Sequence, residues 1–139
     1  QDMNRYDAIV YAYSKNVLIN DDMEAFMPHL KAFYDKFPYT IINNNERHYQ
    51  AVMFTIFTML GEDVKVEYTT SDGRIDLVLK TEQSIFIFEL KYEKSAGTAM
   101  AQICGKDYAK AFADDRRKVV KVGVNFSEDQ RSIEDWVIG

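Results

Sequence analysis

The sequence predicts an α/β chain of the α+β kind: a central mixed four-stranded sheet flanked by helices, in the order α-α-β-β-β-α-β. Three observations predict it. Two stretches before residue 61 carry apolar residues at helical spacing, the period shortens to strand-like runs over 64–91, and helical spacing followed by another apolar run returns beyond residue 98.

The first helical stripe falls at Met23, Phe26, Met27, Leu30, Phe33, Tyr34 and Phe37, a core-facing pattern that Pro28 kinks or delays. The second helix runs from about Glu46 to Leu60. Tyr49, Val52, Met53, Ile56, Phe57 and Leu60 form its stripe, and Gly61 is its C-terminal stop. Val64 to Thr69 alternates as a half-buried strand, and Ser71-Asp72-Gly73 reads as a turn. Ile75 to Lys80 and Ser84 to Lys91 come next as two strands apolar on both faces, with Leu77, Leu79, Phe86 and Phe88 on one side and Val78, Ile85 and Ile87 on the other, so they belong mid-sheet. Thr98 to Ala113 reads as a helix through Met100, Ile103, Cys104, Tyr108, Ala111 and Phe112. Val119 to Phe126 is the fourth strand, and Ile133 to Ile138 closes the chain as an edge strand or a short tail.

A chain of 139 residues suits one domain, and it carries neither a repeat nor a low-complexity tract; residues 1–20 read as a leading segment and 21–138 as the core. The start at Gln1 rather than Met suggests a piece of a longer protein with a neighbouring domain. A hydrophobic share of 47% and an aromatic share of 14% exclude a disordered chain. No stretch approaches the roughly 18 apolar residues of a membrane span, and the first residues build no secretory signal, so a soluble chain is expected. Cys104, the single cysteine, has no internal disulfide partner, and with His29 and His48 it matches no usual zinc spacing. The expected compartment is a reducing cytoplasm. A net charge of −5 argues against a protein that coats nucleic acid by charge alone. It does not exclude a nuclease, where metal ions supply positive charge locally. The six glycines form no phosphate-cradling loop, so nucleotide hydrolysis is not encoded.

The chemistry concentrates in the central hairpin. If its turn is symmetric about Glu82-Gln83, Asp76 lies opposite Glu89, with Cβ atoms about 4.5–5.5 Å apart, where like charges repel. Lys91 shares a face with Glu89 by strand alternation, and Leu90 points away. The result is a D…E-x-K cluster at one end of an apolar hairpin. A divalent ion, Mg²⁺ with Mn²⁺ as substitute, removes the repulsion with Asp76 and Glu89 as ligands. Lys91 then holds an attacking water or steadies the added negative charge of a phosphodiester transition state. The alternative is three solvated charges at a fraying strand end, paired elsewhere.

Gly73-Arg74-Ile75-Asp76, a short spacer and Phe88-Glu89-Leu90-Lys91, followed by a helix and a strand, resemble the PD-(D/E)xK nuclease superfamily, whose core is restriction-endonuclease-like. With Asn45-Glu46-Arg47-His48-Tyr49-Gln50 and Val122-Gly123-Val124-Asn125-Phe126, the run is similar to one branch in which the nuclease-like domain follows an AAA-ATPase-like domain in the same polypeptide. The resemblance covers roughly residues 21–138. It implies that Asp76 and Glu89 bind Mg²⁺, that Lys91 activates water, and that the substrate is nucleic acid, with DNA expected. Glu46 matches an acidic residue that some members place beside the metal. With Asn43 as N-cap, Glu46 could instead complete a capping box at N3. Gln102 resembles a helical glutamine used near the site, although Lys106 stands four residues later where one pattern has Tyr, and Tyr108 comes six later. Ile75 stands where the motif's name has Pro.

Arg116-Arg117-Lys118 with Lys121 could meet a nucleic-acid backbone, but Asp114 and Asp115 precede it and a solvated loop is the simpler reading. His48 receives no role. Phe33, Phe37, Phe54 and Phe57 read as core, and Trp136 as packing at the sheet's end. Two functions of different class are consistent with these residues: a Mg²⁺-dependent DNA nuclease, acting alone or as a homodimer, or a catalytically silent nuclease-like module that binds or regulates a partner ATPase domain or nucleic acid.

Overall fold

A computed structural model describes residues 5–36 and 45–139, with the backbone alone for 5–10 and 19. Phe37, Pro38 and Asn43 lie outside the described residues. Helices α1 (Arg5–Ile19), α2 (Met23–Asp35) and α3 (Glu46–Met59) precede strands β1 (Asp63–Thr70), β2 (Gly73–Lys80) and β3 (Ser84–Tyr92); α4 (Ala96–Gly105) and a 3₁₀ turn (Tyr108–Phe112) then lead to β4 (Lys118–Ser127) and β5 (Ser132–Ile138). Among the described residues no helix is long and apolar enough to cross a membrane.

Side chains cap the helices. Asp22 accepts from the Ala25 N–H at 3.1 Å for α2, Asn45 from the His48 N–H at 2.8 Å for α3, and Ser95 from the Thr98 N–H at 3.0 Å for α4. α2 continues through Pro28. Gly61, at φ +81°, ends α3, as its freedom in the left-handed region predicts. The predicted order lacks α1. Tyr11 Oη nevertheless donates to the Met59 carbonyl at 3.0 Å, and Leu18 is fully buried in the main core.

The sheet runs β1-β2-β3-β4-β5, with β3 and β4 parallel and the other pairs antiparallel. It has five strands rather than the expected four. Residues 132–138 pair with β4 and are an edge strand rather than a tail; Ile133 is buried and the Trp136 indole N–H reaches Glu24 Oε1 at 3.0 Å, tying β5 to α2. The β2–β3 register pairs Leu77 with Phe88 and Lys80 with Ile85, symmetric about Glu82-Gln83 as predicted.

Helices α1–α3 cover one face through Leu77, Leu79, Phe86, Phe88, Leu90 and the even-numbered residues of β4. α4 and the 3₁₀ turn cover the other over Ile75, Val78, Ile85 and Ile87. Phe57 and Phe26 fill the first interface, but Phe54 is 38% exposed, contrary to its assignment to the core, because it lies off the stripe of Met53 and Phe57. β1 is more exposed than half-buried, since it is a sheet edge.

The helix predicted over 98–113 is two pieces. Lys106 caps α4 and Asp107 takes a left-handed backbone at φ +50°, turning the chain so that Tyr108 and Phe112 bury against β2. Tyr108 Oη donates to the Arg74 carbonyl at 3.0 Å.

Candidate active site

The site forms where β2 and β3 part. The β2–β3 ladder stops at Leu77–Phe88, and beyond it Asp76 Oδ2 takes the backbone N–H of Leu90 at 2.8 Å in place of a ladder bond. On the other side of β2, the ladder with β1 pairs Val66 with Leu77 and Tyr68 with Ile75 but skips Glu67 and Asp76, and Glu67 is left-handed at φ +51°. The register is the same on both sides of the gap, so no residue is inserted, and the left-handed backbone at Glu67 locally distorts the strand. Leu77 accordingly packs toward α1–α3, whereas Ile75, two residues earlier, packs toward α4. The irregularity frees the Asp76 carboxylate from the flat alternation that the sequence predicts.

Glu89 and Lys91 lie on the α4 face with Ile85 and Ile87. Glu89 is only 3% exposed. Its Oε2 is 3.7 Å from Lys91 Nζ, while Oε1 is buried without a hydrogen-bond partner. Lys91 Nζ donates to Gln102 Oε1 on α4 at 2.6 Å. α4 reaches this position because residue 123, the β4 neighbour of Glu89, is glycine: a Cβ there would lie 2.6 Å from the Ala96 carbonyl and 2.9 Å from the Met100 nitrogen. Asn125, fully buried beside Lys91 in register, accepts the Lys94 N–H at 3.0 Å and fixes the turn out of β3.

Glu46 approaches from the opposite side. Asn45, rather than Asn43, is the side-chain cap, so Glu46 is the first helical residue and not the third, which removes the capping-box account of it. It lines a cavity of about 180 Å³ with Arg47, Gln50, Glu67, Asp76 and Leu90. Gln50, one turn further along α3, donates from Nε2 to the Asp76 carbonyl at 2.8 Å. Of the predicted site residues, Asp76 and Glu46 share this cavity, Glu89, Lys91 and Gln102 form a contiguous set against α4, and a side-chain hydrogen bond between the Asp76 and Glu89 carboxyl groups links the two sets. Gln50 and Glu67 are not among the residues the sequence singles out. Four-residue spacing from Glu46 places Gln50 on the same helical face and is the available signal for it; nothing in the alternation of β1 marks Glu67.

Charge repulsion is written into the carboxyl groups. Burial pushes the Glu89 carboxyl up to about 8; the neighbouring Asp76 adds to this, and Lys91 only partly offsets it. Asp76 is also raised, first by burial and then by Glu46, against the lowering effect of the Leu90 N–H.

These residues fit a hard divalent cation. Asp76 and Glu89 supply only oxygen donors, and Glu89 Oε1 is buried and accepts no N–H. Among the described residues no group of three or more Asp, Glu, His or Cys side chains is placed to hold a metal ion. Mg²⁺ needs no such group, since it commonly takes one or two carboxylates and completes its shell with water and substrate oxygens.

A family model described as PD-(D/E)XK nuclease superfamily matches residues 44–136, from the start of α3 into β5. The chain belongs to this superfamily. The PD-(D/E)XK match covers all of the predicted site residues. Among curated proteins the chain is 31% identical over 130 residues to an "Uncharacterized protein in vnfD 5'region" of Azotobacter chroococcum mcd 1, covering 88% of this chain and 25% of that protein. The chain thus spans about a quarter of this relative's length. No solved structure matches.

The remaining candidates lie apart from these residues. Arg117 is held by Asp115 at 2.9 Å and by the Thr81 carbonyl at 3.2 Å, which ties up the centre of the basic run. His48 Nε2 is buried without a hydrogen-bond partner, its ring edge-on to Tyr49.

Proposed function

We propose that this chain hydrolyses phosphodiester bonds in DNA with a divalent metal, Mg²⁺ or Mn²⁺, held by Asp76 and Glu89 with Glu46 beside them. The observation that carries the reading is the buried Glu89 carboxyl, raised to about 8 next to Asp76, with one oxygen partnerless and Lys91 next to it. Two carboxyls this close and this buried resist being ionised together, and a bound cation would favour the doubly ionised state. When bound, the ion supplies positive charge to offset the carboxylates and the scissile phosphate.

The chain's own residues do the rest. Lys91 directs an N–H at the attacking water or at the phosphoryl oxygens, where negative charge grows in the transition state. Gln102 accepts one of the Lys91 hydrogens and so restricts where the others point. Gln50 anchors the Asp76 backbone, and the Leu90 N–H holds one Asp76 oxygen. Incubation of supercoiled plasmid with the protein and Mg²⁺ or Mn²⁺ tests this reading: wild type should cleave, and Lys91→Ala should lose cleavage while remaining folded. Full cleavage by Lys91→Ala contradicts it.

A second reading, a silent module serving an AAA-ATPase-like domain of the same polypeptide, is favoured by the net charge of −5 and by the pairing of Arg117 with Asp115 in the main basic run. A folded wild-type chain that cleaves nothing, yet changes the ATP turnover of such a domain, supports it over the nuclease.

A further inference from the structure

Three cavities meet along the N-terminal half of α3, and Arg47 borders all of them. The first is the carboxylate cavity. The second, about 440 Å³, shares Arg47, Gln50 and Glu67 with it and continues over Ala51, Phe54 and Val66. The third, about 510 Å³, lies on the other side of Glu46 and ends at Tyr92. Phe54 and Val66 are 38% and 37% exposed, apolar surface that the core leaves uncovered. Tyr92 is backed by Tyr49, with ring centroids 6.2 Å apart, and Tyr49 by Phe126 at 4.3 Å. Arg47 is exposed and forms no ion pair among the described residues, although Glu46 and Glu67 border the same cavity.

We propose that this groove binds an unpaired strand of the nucleic-acid substrate, with a base stacked on Phe54 and Arg47 on the phosphate between that base and the candidate active site. The proposal rests on the nuclease reading and assigns its substrate form. Three features commit the groove to this occupant. It is continuous with the carboxylate cavity through three shared residues, so a chain lying in it passes Asp76. It sets one cation, Arg47, between the aromatic surfaces of Phe54 and Tyr92, and unpaired bases stack on such rings, whereas a duplex hides its base faces. The chain is acidic overall, so a lone guanidinium between aromatic surfaces favours stacking with few phosphate contacts over the broad neutralisation that a duplex needs.

Fluorescence anisotropy of a short fluorescein-labelled oligo-dT and of a blunt duplex of equal length, in the Lys91→Ala background at fixed Mg²⁺, tests the assignment. The oligo-dT should bind more tightly than the duplex. Phe54→Ala should weaken its binding by about tenfold or more, with Phe54→Tyr restoring it. Arg47→Ala should flatten the slope of log K against log salt by about 0.7, the share of one single-strand phosphate contact. Folding of each variant is checked by circular dichroism. Tighter binding of the duplex, oligo-dT binding that neither substitution changes, or no binding of either probe by the folded protein overturns the groove assignment. Plasmid cleavage by wild type and its loss in Lys91→Ala are read separately, so the groove can fail while the nuclease reading stands, and the reverse.

Discussion

Lys91 Nζ on β3 donates to Gln102 Oε1 on α4 across 2.6 Å, joining the E-x-K strand to the helix that comes after it. Both groups are partly shielded, and the bond leaves the ammonium one preferred bearing relative to Glu89.

Gln102 therefore acts as a positioning residue. Gln102→Ala should lower plasmid cleavage by about ten- to a hundredfold through kcat, with KM and melting temperature little changed. Gln102→Glu should retain the anchor and recover part of the rate. An unchanged kcat in a folded Gln102→Ala protein shows that Lys91 does not depend on it.

The Glu89 carboxyl predicts how stability varies with pH without metal. Its folded value of about 8 lies above its ordinary 4.5, so between these values the folded chain binds more protons than the unfolded one. Stability then falls as pH rises across that window and levels off above it. Metal favours the ionised carboxylates, so Mg²⁺ should raise the melting temperature more at pH 8 than at pH 5. Glu89→Gln should flatten the metal-free decline and abolish the Mg²⁺ effect. Thermal unfolding in chelator and in Mg²⁺ across this range reads both; a metal-free stability that rises with pH in wild type but not in Glu89→Gln contradicts the sign.

Gly123 should tolerate no side chain. A Cβ would meet backbone atoms of α4 at 2.6 and 2.9 Å, so neither flexible side chains nor rotamer changes relieve the clash. Gly123→Ala should cost roughly 1–3 kcal/mol in urea unfolding, the range for overpacking. It should also lower cleavage beyond the stability loss, because α4 carries Gln102. Stability and cleavage equal to wild type would show that α4 does not rest on Gly123.

Much of this arrangement is legible in residue order. A symmetric turn sets the β2–β3 register from Lys80–Ile85 to Leu77–Phe88, while the pairing of Asp76 with Glu89 that it predicts lies one step beyond the end of that ladder. Gly61 stops α3, and the apolar runs of β2 and β3 place them inside the sheet. The features that are not legible depend on the third dimension. The closing run reads as an edge strand or a short tail, and its ladder with β4, the Trp136–Glu24 bond and the burial of Ile133 fix it as the fifth strand. The helix over 98–113 keeps its period through Tyr108, but the left-handed Asp107 breaks it so that Tyr108 can reach the Arg74 carbonyl. Glu67 looks like one more solvent-facing residue, yet its left-handed backbone coincides with the gap in the ladder at Asp76. A period of two carries no trace of the single residue that interrupts it.

Calorimetric titration of Mn²⁺ and Mg²⁺ into wild type and into Asp76→Ala, each checked for folding, asks whether Asp76 and Glu89 hold a divalent ion and requires no choice of substrate. Wild type should bind both ions, and the binding should disappear in Asp76→Ala. No binding by folded wild type, or equal binding by both proteins, would contradict that placement of the ion.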